Sequence, residues 1–344
     1  MRAMVLRRLG PTGPGRDPLE AADQPDPIPG EGEILLDVSV CGVCHTELDI
    51  IEGRTPPPRL PVIPGHQVVG RVAALGPGVS GCKKGDRMGV GWIFGACGGC
   101  RFCVRGEENL CPDFVATGRD ANGGYAQKML VTAAFAIPIP DQLSDDGRVA
   151  PLLCAGAVGY RALRLARLAE GGRLGLTGFG ASGHLVLQMA RGRDPSTTVY
   201  VFARDEATRA FALDLGATWA GATLDRTPEP LDAVIDTTPA WTPILGALRS
   251  LAPGGRLVIN AIRKEDGDKQ ALLGLDYASD LWLEKEIKSV ANVTRADLRD
   301  TLALAARIGL APTVETLPLA SANRALRDLR ASGRRGALVL SVAS

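Results

Sequence analysis

Residues 173–259 alternate short apolar runs with segments of helical spacing. Residues 173–177, 198–202, 231–235 and 256–259 read as strands, and 182–191, 206–215 and 243–250 as helices. Strands that are apolar almost throughout belong to a parallel sheet buried on both faces, with helices laid over it. The first of these strands runs into Gly178-Phe-Gly180-Ala-Ser-Gly183, a Gly-x-Gly-x-x-Gly pattern opening a helix. In that setting the first glycine permits a tight turn and the second lets a pyrophosphate approach the backbone. The third lets the helix pack on the sheet, and the helix N-terminus faces the phosphates.

The rest of the chain has a different texture. Up to about residue 140 it consists of short β segments (4–9, 33–40, 68–75, 87–90, 125–131) between Pro/Gly turns, a β-rich domain with long loops. Residues 160–169 place leucines at helical spacing against arginines. The domain organisation expected is 1–153, then 154–294 as the nucleotide-binding domain, then 295–344 returning to the first. With 344 residues, 45% of them apolar, the chain is long enough for two cores. Its 39 basic and 38 acidic side chains leave no global field to hold nucleic acid or an anionic membrane. Residues 1–10 lack the apolar core of a secretory signal, and residues 174–190 are too glycine-interrupted to span a bilayer. A cytoplasmic location with no membrane or nucleic-acid partner is expected.

Eight cysteines in such a chain favour metal ligation or catalysis over disulfides. Cys97, Cys100, Cys103 and Cys111 follow Cys-x2-Cys-x2-Cys-x7-Cys, with Gly95, Gly98 and Gly99 freeing the backbone to wrap. Four thiolates from one loop suit a closed, structural zinc site, with two disulfides or an iron–sulfur cluster as alternatives. Of only three histidines, His66 sits in a Pro64-Gly65-His66 turn. Catalytic zinc is typically held by three ligands from separate parts of a fold, such as two cysteines and a histidine, and Cys44, His66 and Cys154 fit that description. Cys41-x2-Cys44 also reads as a thioredoxin-like dithiol, although no strand-helix pattern of that fold follows it. Cys82 has no partner motif.

Cys41-Gly-Val-Cys-His-Thr-Glu, Pro64-Gly-His-Gln, the four-cysteine lobe and Leu153-Cys-Ala-Gly, in this order, resemble the zinc-dependent alcohol dehydrogenases of the medium-chain dehydrogenase/reductase superfamily. The resemblance spans essentially the whole chain. It implies an α/β fold with a GroES-like β-rich catalytic domain plus a doubly wound Rossmann domain, and a homodimer or homotetramer. It also implies two zinc ions per chain: a catalytic one on Cys44 (rather than Cys41), His66 and Cys154, and a structural one on the lobe. The hydroxyl that touches the substrate oxygen falls on Thr46. The acid behind the histidine ligand falls on Glu47, one methylene longer than the usual aspartate. Trp92 resembles the aromatic wall of the substrate pocket, and Thr55 replaces a tryptophan that closes the pocket in many bacterial relatives. Two further positions depart from the pattern. Gln67 stands where glutamate is common, and Asp49 where many bacterial relatives carry the histidine that ends the proton relay. His45 and Arg295 fall where the family contacts the pyrophosphate.

About twenty residues past the glycine turn, where an NAD-selective protein places an acid on the ribose 2′-hydroxyl, the chain reads Phe202-Ala203-Arg204-Asp205. With alanine at the acid's place and Arg204 able to pair with a 2′-phosphate, NADP(H) is favoured over NAD(H). Asp205 is placed to cap the next helix, and Arg209 could add to the phosphate site. The function expected is reversible hydride transfer between a small alcohol or aldehyde and the nicotinamide cofactor. The alternatives are an NAD-dependent enzyme of the same fold, an aldehyde reductase of the cinnamyl-alcohol type, and a zinc- and nucleotide-binding redox sensor.

Overall fold

The computed structural model describes residues 1–331 and 336–342, so parts of the segment 295–344 lie outside the described residues. The chain forms two compact units, Met1–Cys154 together with Val293 onward, and Ala155–Asn292. The first therefore keeps Cys154, which the sequence reading assigns to the nucleotide-binding domain, and the chain returns to it two residues before 295.

In the second unit six strands form one parallel sheet in the spatial order Trp219–Gly221, Thr198–Phe202, Arg173–Thr177, Leu231–Asp236, Leu251–Ile259, Glu286–Ser289. By chain position this is third, second, first, fourth, fifth, sixth, the doubly wound order, with its reversal between Arg173–Thr177 and Leu231–Asp236. Apolar burial drives it: Leu174, Leu176, Val199, Val201, Val234, Ile235, Leu257 and Val258 are essentially inaccessible. Helices Gly183–Arg193, Glu206–Asp214 and Thr242–Ser250 link the strands. Asp205 caps the second of them, accepting from the Thr208 N–H at 2.7 Å. The helix expected at 160–169 is Ala155–Ala166. It stops where Arg167 turns left-handed at φ 51°.

In the first unit a seven-stranded sheet is built around Glu33–Val43, which pairs antiparallel with Val68–Leu75, Lys128–Thr132 and Ala337–Ser341. The strand expected at 4–9 is Arg2–Leu6, because Arg7, Arg8 and Leu9 are exposed and have no face to bury. That expected at 125–131 is Lys128–Thr132. Among the described residues no single helix is long and apolar enough to cross a membrane.

A charge cluster backs the short helix His45–Ile51, which follows Glu33–Val43 directly. Glu52 is bound by the Thr12 backbone and hydroxyl and by Arg54 and Arg330, with its side chain 8% exposed. Burial pushes the Glu52 carboxyl up, but the Thr12 and Arg54 hydrogen bonds outweigh it and hold the group at about 2. A carboxyl held below its unfolded value of 4.5 adds stability that is present above that pH and lost as pH falls towards 2. Glu52→Gln is therefore expected to cost on the order of 2 kcal/mol at pH 7. Urea unfolding of parent and variant should converge as pH drops below about 4.5. A difference independent of pH would show that the charge is not what matters.

Candidate metal and cofactor sites

Register brings the first ligands together. Cys41 lies opposite Val68, and the Gly42 N–H donates to the Gln67 carbonyl at 2.9 Å, so residues just after one strand meet residues just before the next. Cys44 is the N-cap of helix His45–Ile51. His66 is delivered by Gly65, whose φ of 101° is open to glycine alone. A Cβ there would come within 2.5 Å of Tyr125 Cδ1 and 2.8 Å of Cys41 Sγ. Cys154 follows the 3-10 turn Ala150–Leu153, which packs on strands Val68–Leu75 and Arg87–Val90.

The three side chains converge. Cys44 Sγ and Cys154 Sγ are 4.0 Å apart, His66 Nε2 is 3.2 Å from Cys154 Sγ, and all three donor atoms lie within 4.8 Å of one another. Two thiolates on one tetrahedral zinc, each at about 2.3 Å, lie about 3.8 Å apart, so the donor set and its spacing fit that ion. Three protein donors leave a fourth position for a small ligand. Cys44 is drawn well below the ordinary thiol range by its hydrogen bond with Cys154.

Glu47 does two jobs. Its Oε1 accepts from His66 Nδ1 at 2.5 Å, which turns Nε2 towards the thiols, and its Oε2 accepts from the Cys44 N–H at 2.8 Å, closing a capping box. The extra methylene over aspartate is thus accommodated. Burial pushes the His66 imidazole down, but the Glu47 charge and hydrogen bonds to Cys44 and Glu47 lift it to about 10, so metal uptake near neutrality displaces a proton there. Glu47→Ala is expected to weaken zinc at this site about 10- to 100-fold, measured by competition with a chelator. Unchanged affinity would mean that His66 is oriented by something else.

The four-cysteine lobe is closed. Sγ–Sγ separations of 3.5 Å (Cys97–Cys111), 3.6 Å (Cys100–Cys103) and 3.9 Å (Cys97–Cys103) suit a tetrahedral thiolate site. The Cys97 and Cys100 N–H groups donate to thiol sulfurs in the same loop.

In the second unit the glycine turn has the shape a dinucleotide requires. Gly178 has φ 79°, and a Cβ on it would press on Thr237 and Thr238 at 2.8 Å. A Cβ on Gly183 would strike the Gly178 carbonyl at 2.6 Å, whereas Gly180 faces open space, where a pyrophosphate can approach. Ala203 is buried at the end of strand Thr198–Phe202. Arg209 Nη1 clamps the Ala203 and Arg204 carbonyls at 2.9 Å each. The Arg204 guanidinium is exposed and meets no hydrogen-bond or ion-pair partner among the described residues.

Other residues singled out in the sequence are placed as follows. Thr46 is buried, with its hydroxyl 3.6 Å from Cys44 Sγ. Trp92 packs edge-on against His66, ring centroids 5.0 Å apart. Asp49, where many bacterial relatives carry the histidine that ends the proton relay, is buried with its carboxylate bound by Arg54 Nε at 2.5 Å. Arg295, which with His45 is a candidate for the pyrophosphate, lies in the first unit. There Glu108, which is 3% exposed, accepts from its Nε at 2.9 Å, and the guanidinium stacks over Phe135. His45 is exposed at the start of its helix. Gln67 is buried with its side chain against Gly42. Cys41 is fully buried and its thiol is pushed well up by that burial, unlike a reactive dithiol. Sequence reasoning misses Arg54 and Glu108, while the Pro64-Gly65-His66 turn already signals Gly65.

Residues 30–141 match the family model described as the alcohol dehydrogenase GroES-like domain. The chain is 43% identical to a probable alcohol dehydrogenase of Mycobacterium tuberculosis (strain CDC 1551 / Oshkosh), over 99% of this chain and 97% of that protein. It is 34% identical to an alcohol dehydrogenase of Geobacillus stearothermophilus, over 94% and 96%. Among solved structures, a cinnamyl alcohol dehydrogenase from Sorghum bicolor is similar with a TM-score of 0.83 at 28% identity, covering 99% of this chain and 97% of that one.

Proposed function

The chain belongs to the zinc-type medium-chain alcohol dehydrogenases, and on that premise we propose that it transfers hydride reversibly between a primary or secondary alcohol and NADP(H). One observation carries the reading: the chain builds two thiol sites of opposite kind, a lobe closed by four cysteines and a set of three donors open to a fourth ligand. On this reading each holds one zinc.

Zinc on Cys44, His66 and Cys154 supplies a Lewis acid for the substrate oxygen, and the nicotinamide ring supplies the hydride chemistry. The chain's own residues do the rest. The Thr46 hydroxyl, buried beside Cys44, relays the alcohol's proton: in oxidation it accepts that proton while giving its own to water, and in reduction the transfers run in reverse. Glu47 fixes the imidazole through Nδ1. Trp92, braced on His66, forms an apolar wall beside the reacting carbon. Asp49 holds Arg54 and structures the turn behind the helix.

The NADP(H) assignment is supported by what stands at the end of strand Thr198–Phe202. Ala203 carries no acid to meet a 2′-hydroxyl, and the unpartnered Arg204 is free to pair with a 2′-phosphate. Arg209 is committed to the backbone and shapes the corner.

The test is the initial rate of NADPH and NADH oxidation, side by side, over aliphatic and aromatic aldehydes with zinc-loaded protein. Turnover chiefly with NADPH is the expected result. Turnover chiefly with NADH would overturn the Arg204 assignment, and no turnover with either, at full zinc content, would overturn the proposed reaction.

A further inference from the structure

We propose that residues 117–125 form a splint that sets the position of His66, with Asn122 and Gly123 as its positioning residues. The inference rests on the metal reading above and adds what holds the ligand's backbone, where Glu47 holds its ring.

His66 calls for such a support. Residues 63–66 lie ahead of strand Val68–Leu75, in irregular backbone, and Ile63, Pro64, Gly65 and His66 are all buried. Buried backbone groups outside regular structure must find their partners elsewhere in the protein.

The partners come from one segment. The Gly123 N–H donates to the Ile63 carbonyl at 2.7 Å, the Tyr125 N–H to the Pro64 carbonyl at 3.0 Å and the Gly124 N–H to the Gly65 carbonyl at 2.9 Å. Asn122 Oδ1 accepts from the Ile63 N–H at 3.0 Å. Three successive carbonyls and one N–H of the ligand turn are thus bonded to four successive residues. At the other end of the segment the Thr117 N–H donates to the Trp92 carbonyl at 2.9 Å, and Trp92 braces the His66 ring edge-on. The splint therefore reaches the histidine both through its backbone and through its ring.

The two segments meet backbone to backbone. A Cβ on Gly123 would collide with the Gly65 carbonyl oxygen and come within 2.7 Å of that of Pro64, and one on Gly118 would lie 2.8 Å from the Gly65 nitrogen. Glycine loses more freedom on folding than any other residue, and here that loss is matched by a closeness that no other residue permits. Side chains of the loop stiffen it: Arg119 Nε and Nη2 donate to Asp120 at 2.7 and 2.8 Å, and Asp120 Oδ2 accepts from the Ala116 N–H at 2.7 Å. A site works when its groups are held within about 0.5 Å of the productive geometry, and loss of a group that orients a metal ligand costs about 10- to 100-fold in affinity.

The experiment uses the full-length chain, loaded with zinc or with cobalt(II), as parent, Asn122→Ala, Asn122→Asp and Gly123→Ala. Zinc affinity at each site is measured by competition with a chelator, with the four-cysteine lobe as the reference within the same molecule. The cobalt d–d bands of the three-donor site are read as the difference from Cys44→Ser, which lacks a ligand there. Asn122→Ala is expected to weaken the three-donor site about tenfold and to shift its bands, and Gly123→Ala to weaken it about 100-fold, with lobe affinity unchanged in both. Asn122→Asp keeps an oxygen acceptor for the Ile63 N–H and is expected to restore the parental affinity and bands. If Gly123→Ala does not fold, the Asn122 pair decides. Parental affinity and bands in Asn122→Ala would overturn the inference. So would equal weakening of both sites, or a lowered melting temperature with unchanged bands, since either gives the segment a role in stability alone. An Asn122→Asp variant as weak as Asn122→Ala would overturn it too, because the effect would not lie in the bond. A parent that takes up zinc in the lobe alone would overturn the metal reading itself.

Discussion

Cys44→Ser is expected to lower alcohol oxidation at least about 1000-fold and to remove one of two zinc ions per chain, whereas Cys41→Ser keeps both zinc and turnover. The size follows from the several kcal/mol that a Lewis acid contributes at a developing negative charge, about 4 kcal/mol being a factor of 1000. Cys44 Sγ stands 4.0 Å from Cys154 Sγ in the three-donor cluster, while Cys41 points away from it, among Gly65, Gly124 and Tyr125. The pair of variants therefore separates a metal ligand from a dithiol. If the protein were a redox sensor built on Cys41 and Cys44, both serines would abolish its response alike. Metal analysis alongside initial rates decides it, and near-parental turnover in Cys44→Ser would remove the catalytic role of the site.

The second large effect is a reversal of cofactor choice. Ala203→Asp combined with Arg204→Ala is expected to shift the ratio of kcat/KM for NADPH over NADH about 100- to 1000-fold towards NADH. On the proposed reading Arg204 would give a 2′-phosphate charge-assisted hydrogen bonds of about 1.5–3 kcal/mol, and a carboxylate at 203 would both repel that phosphate and accept from a 2′-hydroxyl. The buried Ala203 directly follows strand Thr198–Phe202, the second strand from the reversal of the sheet, and Arg209 already holds its carbonyl, so the new acid is introduced on a fixed corner. Each single change should carry part of the shift. A double variant with the parental ratio would show that the corner does not read the 2′ position.

Much of the second unit is legible in the sequence because its strands are buried on both faces. Residues 173–177 and 198–202 are strands where their unbroken apolar runs place them. Glu286–Ser289 is not legible, since all four residues are exposed at the sheet edge and bury no face that would write a pattern. Helix His45–Ile51 is hidden for the opposite reason. Six of its seven residues are buried, polar Thr46, Glu47 and Asp49 included, so no apolar stripe stands against a polar face. The metal donors stand out because cysteine and histidine are rare and chemically specific. The charges that partner the site do not. Glu108 and Arg295 are 187 residues apart in the chain, and nothing in either segment announces their meeting. Asp49 is claimed by Arg54, five residues on, in a turn with no periodicity to read. Ion pairs that cross a fold depend on its closure, which a linear pattern does not record.

The account turns on the three-donor site being open to the substrate, and cobalt(II) exchanged into the zinc positions reports this directly. Alcohol is added to the cobalt-loaded parent and to Cys44→Ser, and the d–d absorption bands are followed. The account predicts bands that shift with saturating dependence on alcohol in the parent, and no such shift in Cys44→Ser, where only the closed lobe retains its ion. Bands in the parent that ignore the alcohol would mean that the metal does not meet substrate, and would contradict the proposed function at its centre.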